Sequence, residues 1–166
     1  GRKRLMLFRD IVLAFNNSSS VYEFNQEGQV ILKIDDSVAE SITITDDILE
    51  PYEGAQKVYR DCVDGLITRT KPPKDVVKDM TVVFEEYLKK STSQNSVEKS
   101  IRHLENKLFL HPTQIKIIEK LIAYRGDAWG VAHAGNSPEP DERDALWFLE
   151  SIVTQIRYIE NKIKKT

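Results

Sequence analysis

The sequence is poor in the features that would tie it to several common protein classes. It has one cysteine, Cys62, which excludes an intramolecular disulfide and leaves no set of cysteines for a zinc site. No apolar run approaches the roughly 18 residues of a membrane-spanning helix, because Arg9 and Asp10 interrupt the longest candidate. We therefore expect a cytoplasmic protein that is kept reduced and does not enter a membrane.

The sequence also lacks a strong net charge and has little glycine or proline. Its 24 Lys and Arg residues against 26 Asp and Glu residues give a net charge of -2, without the overall basic field of a duplex-binding protein. Any contact with a nucleic acid must therefore be local. Seven Gly and six Pro among 166 residues favour a single helix-rich domain over a disordered or fibrous chain. The chain begins at Gly1 rather than Met, which is compatible with a piece of a longer protein.

The first quarter of the chain carries mixed patterns. Residues 5–15 have apolar side chains at helical spacing and predict a short first helix. The runs VYEF and QVILKI flank the turn NQEG and predict a small β-hairpin, while ITIT at Ile42–Thr45 predicts a third short strand. We assign residues 1–49 to an N-terminal appendage.

Apolar stripes at helical spacing predict a mainly α fold, a bundle of about five helices, over residues 50–166. Ser96 and Ser137 are the predicted N-caps of the third and last helices. The last helix has a regular apolar stripe that suits antiparallel packing inside the bundle or a partner helix. At least one of Trp147 and Phe148 must face the bundle or a partner. The stripe consists of Ala145, Leu149, Ile152, Ile156, Ile159 and Ile163.

Residues able to do chemistry are concentrated in the glycine-broken stretch YRGDAWGVAHAGN, residues 124–136. The guanidinium of Arg125 can bind a phosphate through two parallel hydrogen bonds, and the imidazole of His133 can exchange a proton with a hydroxyl. Asp127 can orient either group, and Trp129 can stack on a base or hold the loop against the bundle. This combination predicts phosphodiester chemistry.

Each of these residues also has a purely structural interpretation. Arg125 at a helix C-terminus can cap carbonyls, and His133 can hydrogen-bond a backbone carbonyl. Lys116 and Lys120, with the C-terminal lysines, form either a phosphate-binding edge or an ordinary solvated surface.

The remaining ionisable candidates favour structural roles. His103 and His111 have no carboxylates at matching positions, so we expect neither a metal nor another cofactor. Cys62 lies in an apolar stripe and is predicted to be an inert core thiol.

The order Arg125, spacer, His133-Ala134-Gly135 and long final helix resembles the HEPN superfamily, and most closely the C-terminal domains of abortive-infection proteins. The spacer of seven residues is longer than is usual in that family. The resemblance implies an antiviral-defence ribonuclease or RNase toxin that needs no metal and acts as a homodimer. It also implies that Arg125 holds the scissile phosphate, while His133 acts on the 2′-hydroxyl or the leaving oxygen and a 2′,3′-cyclic phosphate is left.

A second hypothesis gives the same bundle no catalytic role. Many HEPN domains are dimerisation or docking modules, and in this interpretation the chain is part of a larger defence protein. The isoleucine stripe of the last helix, which contains Ile152 and Ile156, would then be its oligomer interface.

Overall fold

The computed structural model describes residues 12–13, 22–25, 27–108, 110–127 and 139–165, with only the backbone of residues 125–127. The helices pack around a common hydrophobic core, which confirms the predicted mainly helical fold with a small hairpin. The predicted helix over residues 5–15 lies outside the described residues, apart from residues 12 and 13, which are helical. In chain order the described elements are β1 Tyr22–Phe24, β2 Val30–Leu32, α1 Asp36–Leu49, α2 Glu53–Ile67, α3 Pro73–Ser91, α4 Val97–Lys107, α5 Pro112–Asp127 and α6 Glu142–Ile163.

The predicted hairpin is present as the antiparallel pair β1 and β2, with Tyr22 opposite Leu32. Gly28 has a φ of 77°, a left-handed conformation that glycine adopts without steric cost, and its N–H donates to the carbonyl of Asn25 at 3.0 Å. Leu32 is buried in the core. The guanidinium of Arg69 lies 4.8 Å from the ring centroid of Tyr22, so the hairpin is held against the helices by both apolar and cation–π contacts.

The predicted third strand at Ile42–Thr45 is wrong, because these residues lie inside α1. The carboxylate of Asp35 accepts hydrogen bonds from two N–H groups of the first turn and caps the helix. Thr45 donates to the carbonyl of Ser41 at 2.9 Å, so its hydroxyl is satisfied within the helix. Thr45 and Leu49 are both fully buried and lie on one helix face, and their burial outweighs the β preference of branched side chains.

Helix α1 packs against α2 and α6 and contributes to the same core as the rest of the bundle. Arg60 of α2 forms two hydrogen bonds of 2.7 Å with the carboxylate of Asp46, and this contact lowers the pKa of Asp46. The hydroxyl of Tyr59 donates to the carbonyl of Ile42 at 2.9 Å. Residues 36–49, which the sequence places in the appendage, are thus bound to the bundle by polar and apolar contacts.

Helix α6 uses its apolar stripe inside the chain. Ala145, Leu149, Ile152, Ile156 and Ile159 are at most 1% exposed and pack against α1 and α3. Packing of the stripe inside the bundle is therefore confirmed, but its antiparallel sense is wrong for α3. Lys74 at the start of α3 contacts Glu139 just before α6, and Tyr87 near the end of α3 contacts Glu160 near the end of α6, so the two helices run parallel. The use of the five buried residues as an oligomer interface is also wrong, because their side chains are already covered by the chain itself.

The start of α6 differs from the predicted start. Asp141, not Ser137, is the N-cap: its carboxylate accepts from the N–H groups of Arg143 and Asp144 at 2.8 and 2.9 Å. The carboxylate of Asp144 in turn accepts a hydrogen bond from the N–H of Asp141 at 3.0 Å, and the two contacts together form a capping box. Ser137 itself lies outside the described residues, and the helix begins at Glu142.

A tight turn joins α2 to α3. The N–H groups of Thr70 and Lys71 donate to the carbonyl of Gly65 at 2.9 and 3.0 Å. The ammonium of Lys71 bridges the carboxylates of Asp61 and Asp79, at 3.0 Å from the latter. A Cβ atom at position 65 would lie 2.5 Å from Cβ of Lys71, so this approach requires glycine.

Cys62 is fully buried beneath this turn, as predicted. Burial raises the pKa of its thiol to about 12, although the nearby positive charge of Lys71 opposes that shift. The thiol is therefore an unreactive part of the core at neutral pH.

Candidate functional site at the α5 and α6 junction

The predicted catalytic residues lie at and beyond the end of α5. Arg125 and Asp127 occupy its last turn, so the helix runs past the position at which the sequence pattern ends it. Their side chains lie outside the described residues, as do Trp129 and His133 entirely. The convergence of Arg125 and His133 therefore stays a prediction.

An aromatic cluster fixes the end of α5 on α6. The ring of Tyr124 stacks on Phe148, with centroids 5.0 Å apart and planes 18° apart. Tyr124 also meets Trp147 edge to face, at 5.6 Å and 61°. Such contacts add to the free energy of burial and restrict ring motion. The backbone of Arg125, the next residue along the helix, is consequently held beside the start of α6.

Ion pairs hold the segment that leads into α6. Glu139 pairs with Lys74 of α3 at 3.1 Å, and Glu142 pairs with Arg69 at 3.2 Å. Pro140, between them, is buried. Both sides of residues 128–138 are thus attached to the same region of the bundle, and two of the acidic groups there are neutralised by basic partners.

A groove of about 320 Å³ runs between α5 and α6 from this junction. Its apolar part includes Ile117, 39% exposed, and Trp147, 52% exposed. Phe148, in contrast, is fully buried, which confirms that one of these two aromatic residues faces the core. The groove is lined by Ile117, Leu121, Trp147, Glu150, Ser151, Thr154 and Gln155.

The polar lining of the groove is rich in hydrogen-bond acceptors. Gln155 is only 8% exposed, and its Oε1 atom is buried without a hydrogen-bond partner in the described part of the chain. Partial burial raises the pKa of Glu150, and the negative charge of Asp35 adds to this shift. Ser151 donates its hydroxyl hydrogen to the carbonyl of Trp147 at 2.8 Å, so its oxygen remains an acceptor. No lysine or arginine is among the described residues that line this groove.

Sequence reasoning missed this groove. One feature of the sequence could have predicted it: Trp147 lies outside the apolar stripe of α6. A large apolar side chain at such a position faces either solvent or a ligand. The burial of Gln155 had no such signal, because it depends on where α5 lies.

The predicted phosphate-binding lysines lie on another face of α5. Lys116 and Lys120 are exposed, and Lys116 lines a groove of about 480 Å³ between α4 and α5. This groove is also lined by the acidic residues Glu98, Glu105 and Glu119. Positive charge on this face is therefore balanced by nearby carboxylates, and the phosphate-binding role of the two lysines stays a prediction.

The histidines in the described part of the chain show no metal-binding arrangement. The Nδ1 atom of His111 accepts from the N–H of Thr113 at 3.2 Å, which is a contact that orders the start of α5. Among the described residues, no cluster of three His, Cys, Asp or Glu side chains is placed to hold a metal ion. Nor does any helix there have the length and apolarity needed to cross a membrane.

Comparison with family models, curated proteins and solved structures yields no match to this chain.

Proposed function

We propose that this chain is a HEPN-like, metal-independent endoribonuclease, and that it acts as an RNase toxin in a prokaryotic defence system. The observation that carries the proposal is the position of Arg125 in the last turn of α5, next to Tyr124, whose ring packs on Phe148 and Trp147 of α6. Because the helix end is anchored, the backbone of Arg125 needs no further ordering when its guanidinium binds a phosphate. His133 follows after a glycine-containing spacer that permits the chain to turn back.

In the proposed reaction, Arg125 binds the scissile phosphate and stabilises its developing negative charge. His133 removes the proton of the ribose 2′-hydroxyl, and the 2′-oxygen attacks phosphorus. The bond from phosphorus to the 5′-oxygen breaks, and that oxygen takes up a proton from solvent. The products are a 2′,3′-cyclic phosphate and a 5′-hydroxyl. Asp127 orients the imidazole or the guanidinium, and two protomers each supply an Arg–His pair to one RNA groove.

The alternative is a non-catalytic dimerisation or docking module, and one observation favours it. Ile117 and Trp147 expose apolar surface on neighbouring helices, and such surface is typical of contact sites. Under this alternative the contact surface lies at the α5–α6 groove, since Ile152 and Ile156 are buried in the core.

Cleavage of a labelled single-stranded RNA in the presence of EDTA separates the two functions. We expect Arg125→Ala and His133→Ala each to lower the cleavage rate about 10²- to 10⁴-fold, while the circular dichroism spectrum is unchanged. Arg125→Lys keeps the charge but not the two-bond geometry, so it should restore only part of the rate. His103→Ala, on α4, is the matched control and should cleave like the unmodified protein. Equal cleavage by all variants would refute the proposed function.

A further inference from the structure

The most exposed aromatic residue in the described part of the bundle also packs against two other aromatic rings. Trp147 is 52% exposed, yet its ring contacts Tyr124 at 5.6 Å and Phe148 at 6.5 Å. An aromatic ring that packs against the protein on one side and faces solvent on the other can stack with a flat ring of a ligand. Leaving so large an apolar surface in water is otherwise unfavourable.

A buried amide lies further along the same groove. Gln155 is two helical turns from Trp147, about 12 Å at a rise of 1.5 Å per residue. Among the described residues its Oε1 atom has no hydrogen-bond partner, and an unsatisfied buried acceptor is unfavourable. A ligand that supplied an N–H donor would remove this cost once the amide of Gln155 turns toward the groove that the residue lines.

The polar side chains that line the α5–α6 groove determine which class of ligand it can bind. Glu150, Ser151 and Gln155 offer oxygen acceptors, and no cation among the described residues lines the groove. An anionic phosphate is therefore disfavoured inside it, whereas a neutral ring with amino hydrogens suits both the indole and the acceptors. Amide and carboxylate side chains pair with the amino groups of adenine and cytosine in this way.

We propose that the α5–α6 groove is a subsite for unpaired, amino-bearing nucleobases of single-stranded RNA, in which one base stacks on Trp147 and another base of the same strand donates a hydrogen bond to Gln155. This inference rests on the proposed ribonuclease function and names the substrate feature recognised beside the Arg125 motif. Because Tyr124 contacts Trp147, a base stacked there lies close to the helix end that carries Arg125.

Binding of ten-nucleotide adenine and uracil RNAs, measured by fluorescence anisotropy, tests the subsite. Adenine has the amino group and uracil does not, so the adenine oligomer should bind about tenfold more tightly. Trp147→Leu should weaken binding about tenfold, the loss of one stacked base. Gln155→Met keeps the side-chain size and should remove the preference for adenine. Val82→Ala, at an exposed apolar position on α3, is the matched control and should leave binding unchanged.

A second readout locates the bound RNA. The chain has two tryptophans, so Trp129→Phe leaves Trp147 as the sole tryptophan, whose emission can be excited separately from that of the tyrosines. The adenine oligomer should quench its emission. The subsite is refuted if Trp147→Leu binds like the unmodified protein, if there is no quenching, or if adenine and uracil oligomers bind equally. It is also refuted if Trp147→Leu changes only the molar mass measured by light scattering, which would identify the groove as a protein interface.

Cleavage measured in parallel separates this inference from the function on which it rests. Cleavage that depends on Arg125 and His133 but not on Trp147 would refute the subsite alone. Base-selective binding that depends on Trp147 and Gln155, without any cleavage, would refute the ribonuclease and retain the subsite.

Discussion

Replacing Ile152 by alanine tests whether the apolar stripe of α6 serves the core of one chain or an interface between chains. Ile152 is 0% exposed and packs in the core that α6 shares with α1 and α3. Truncating a buried isoleucine to alanine costs about 2–5 kcal/mol, since it loses both transfer energy and packing around the cavity. Because Ile152 is fully buried, we expect the free energy of unfolding to fall by about 3 kcal/mol. This corresponds to a fall in Tm of about 6–12 °C for a chain of this size.

Urea unfolding, followed by circular dichroism at two protein concentrations, provides the measurement. The midpoint for Ile152→Ala should fall, and its drop relative to the unmodified protein should be the same at both concentrations because the lost contacts lie within one chain. Thr154→Ala is the control on the same helix. Thr154 is exposed, so its replacement should change the free energy of unfolding by less than about 0.5 kcal/mol. A loss of unfolding free energy below about 1 kcal/mol for Ile152→Ala, or a drop in midpoint relative to the unmodified protein that depends on protein concentration, would refute the reasoning.

Two further predictions concern the turn between α2 and α3. Gly65→Ala should lower the free energy of unfolding by about 1–3 kcal/mol, because its Cβ would lie 2.5 Å from Cβ of Lys71; unchanged urea stability would contradict this close approach. Cys62 should resist a thiol reagent in the folded protein at pH 8. Because its folded pKa is raised to about 12, its contribution to stability is fully present below the unfolded value near 9 and is lost as the pH rises from 9 to 12. In Cys62→Ala the free energy of unfolding should therefore fall less between pH 9 and 12. An equal fall in the variant and the unmodified protein would contradict the raised pKa of Cys62.

Much of the helical frame was predictable because local and tertiary preferences agree. In α4, Ser96 accepts from the N–H of Lys99 and acts as the predicted N-cap. In α6, the regular apolar stripe that contains Ile152 is buried as its spacing indicates. The hairpin was also predictable, because Gly28 permits the positive φ that its turn requires.

The errors arise where local preference and tertiary context disagree. The β-branched run Ile42–Thr45 favours a strand locally, but the Asp35 cap and the burial of Thr45 and Leu49 favour a helix. The start of α6 was misplaced because its capping box uses Asp141 and Asp144, a variant of the usual pairing with glutamate or glutamine at the fourth position.

The candidate site was less accessible to sequence reasoning than the fold. The Arg125 and His133 pattern indicates a chemistry but carries no information about where their side chains meet. The exposure of Trp147 depends on how α5 packs against α6, and so does the lack of a partner for Gln155 Oε1 among the described residues. Residues far apart in the sequence determine that packing. Such features follow from packing and have no local pattern.

Mass spectrometry of the products formed from a single-stranded RNA in EDTA distinguishes the proposed ribonuclease from other nucleases. The proposed chemistry predicts fragments that end in a 2′,3′-cyclic phosphate and begin with a 5′-hydroxyl. A strand with 2′-methoxy groups should stay intact, because it lacks the attacking hydroxyl. Both Arg125→Ala and His133→Ala should lose these products. Fragments with 5′-phosphates, cleavage of the methoxy strand, or unchanged products from either variant would contradict the account.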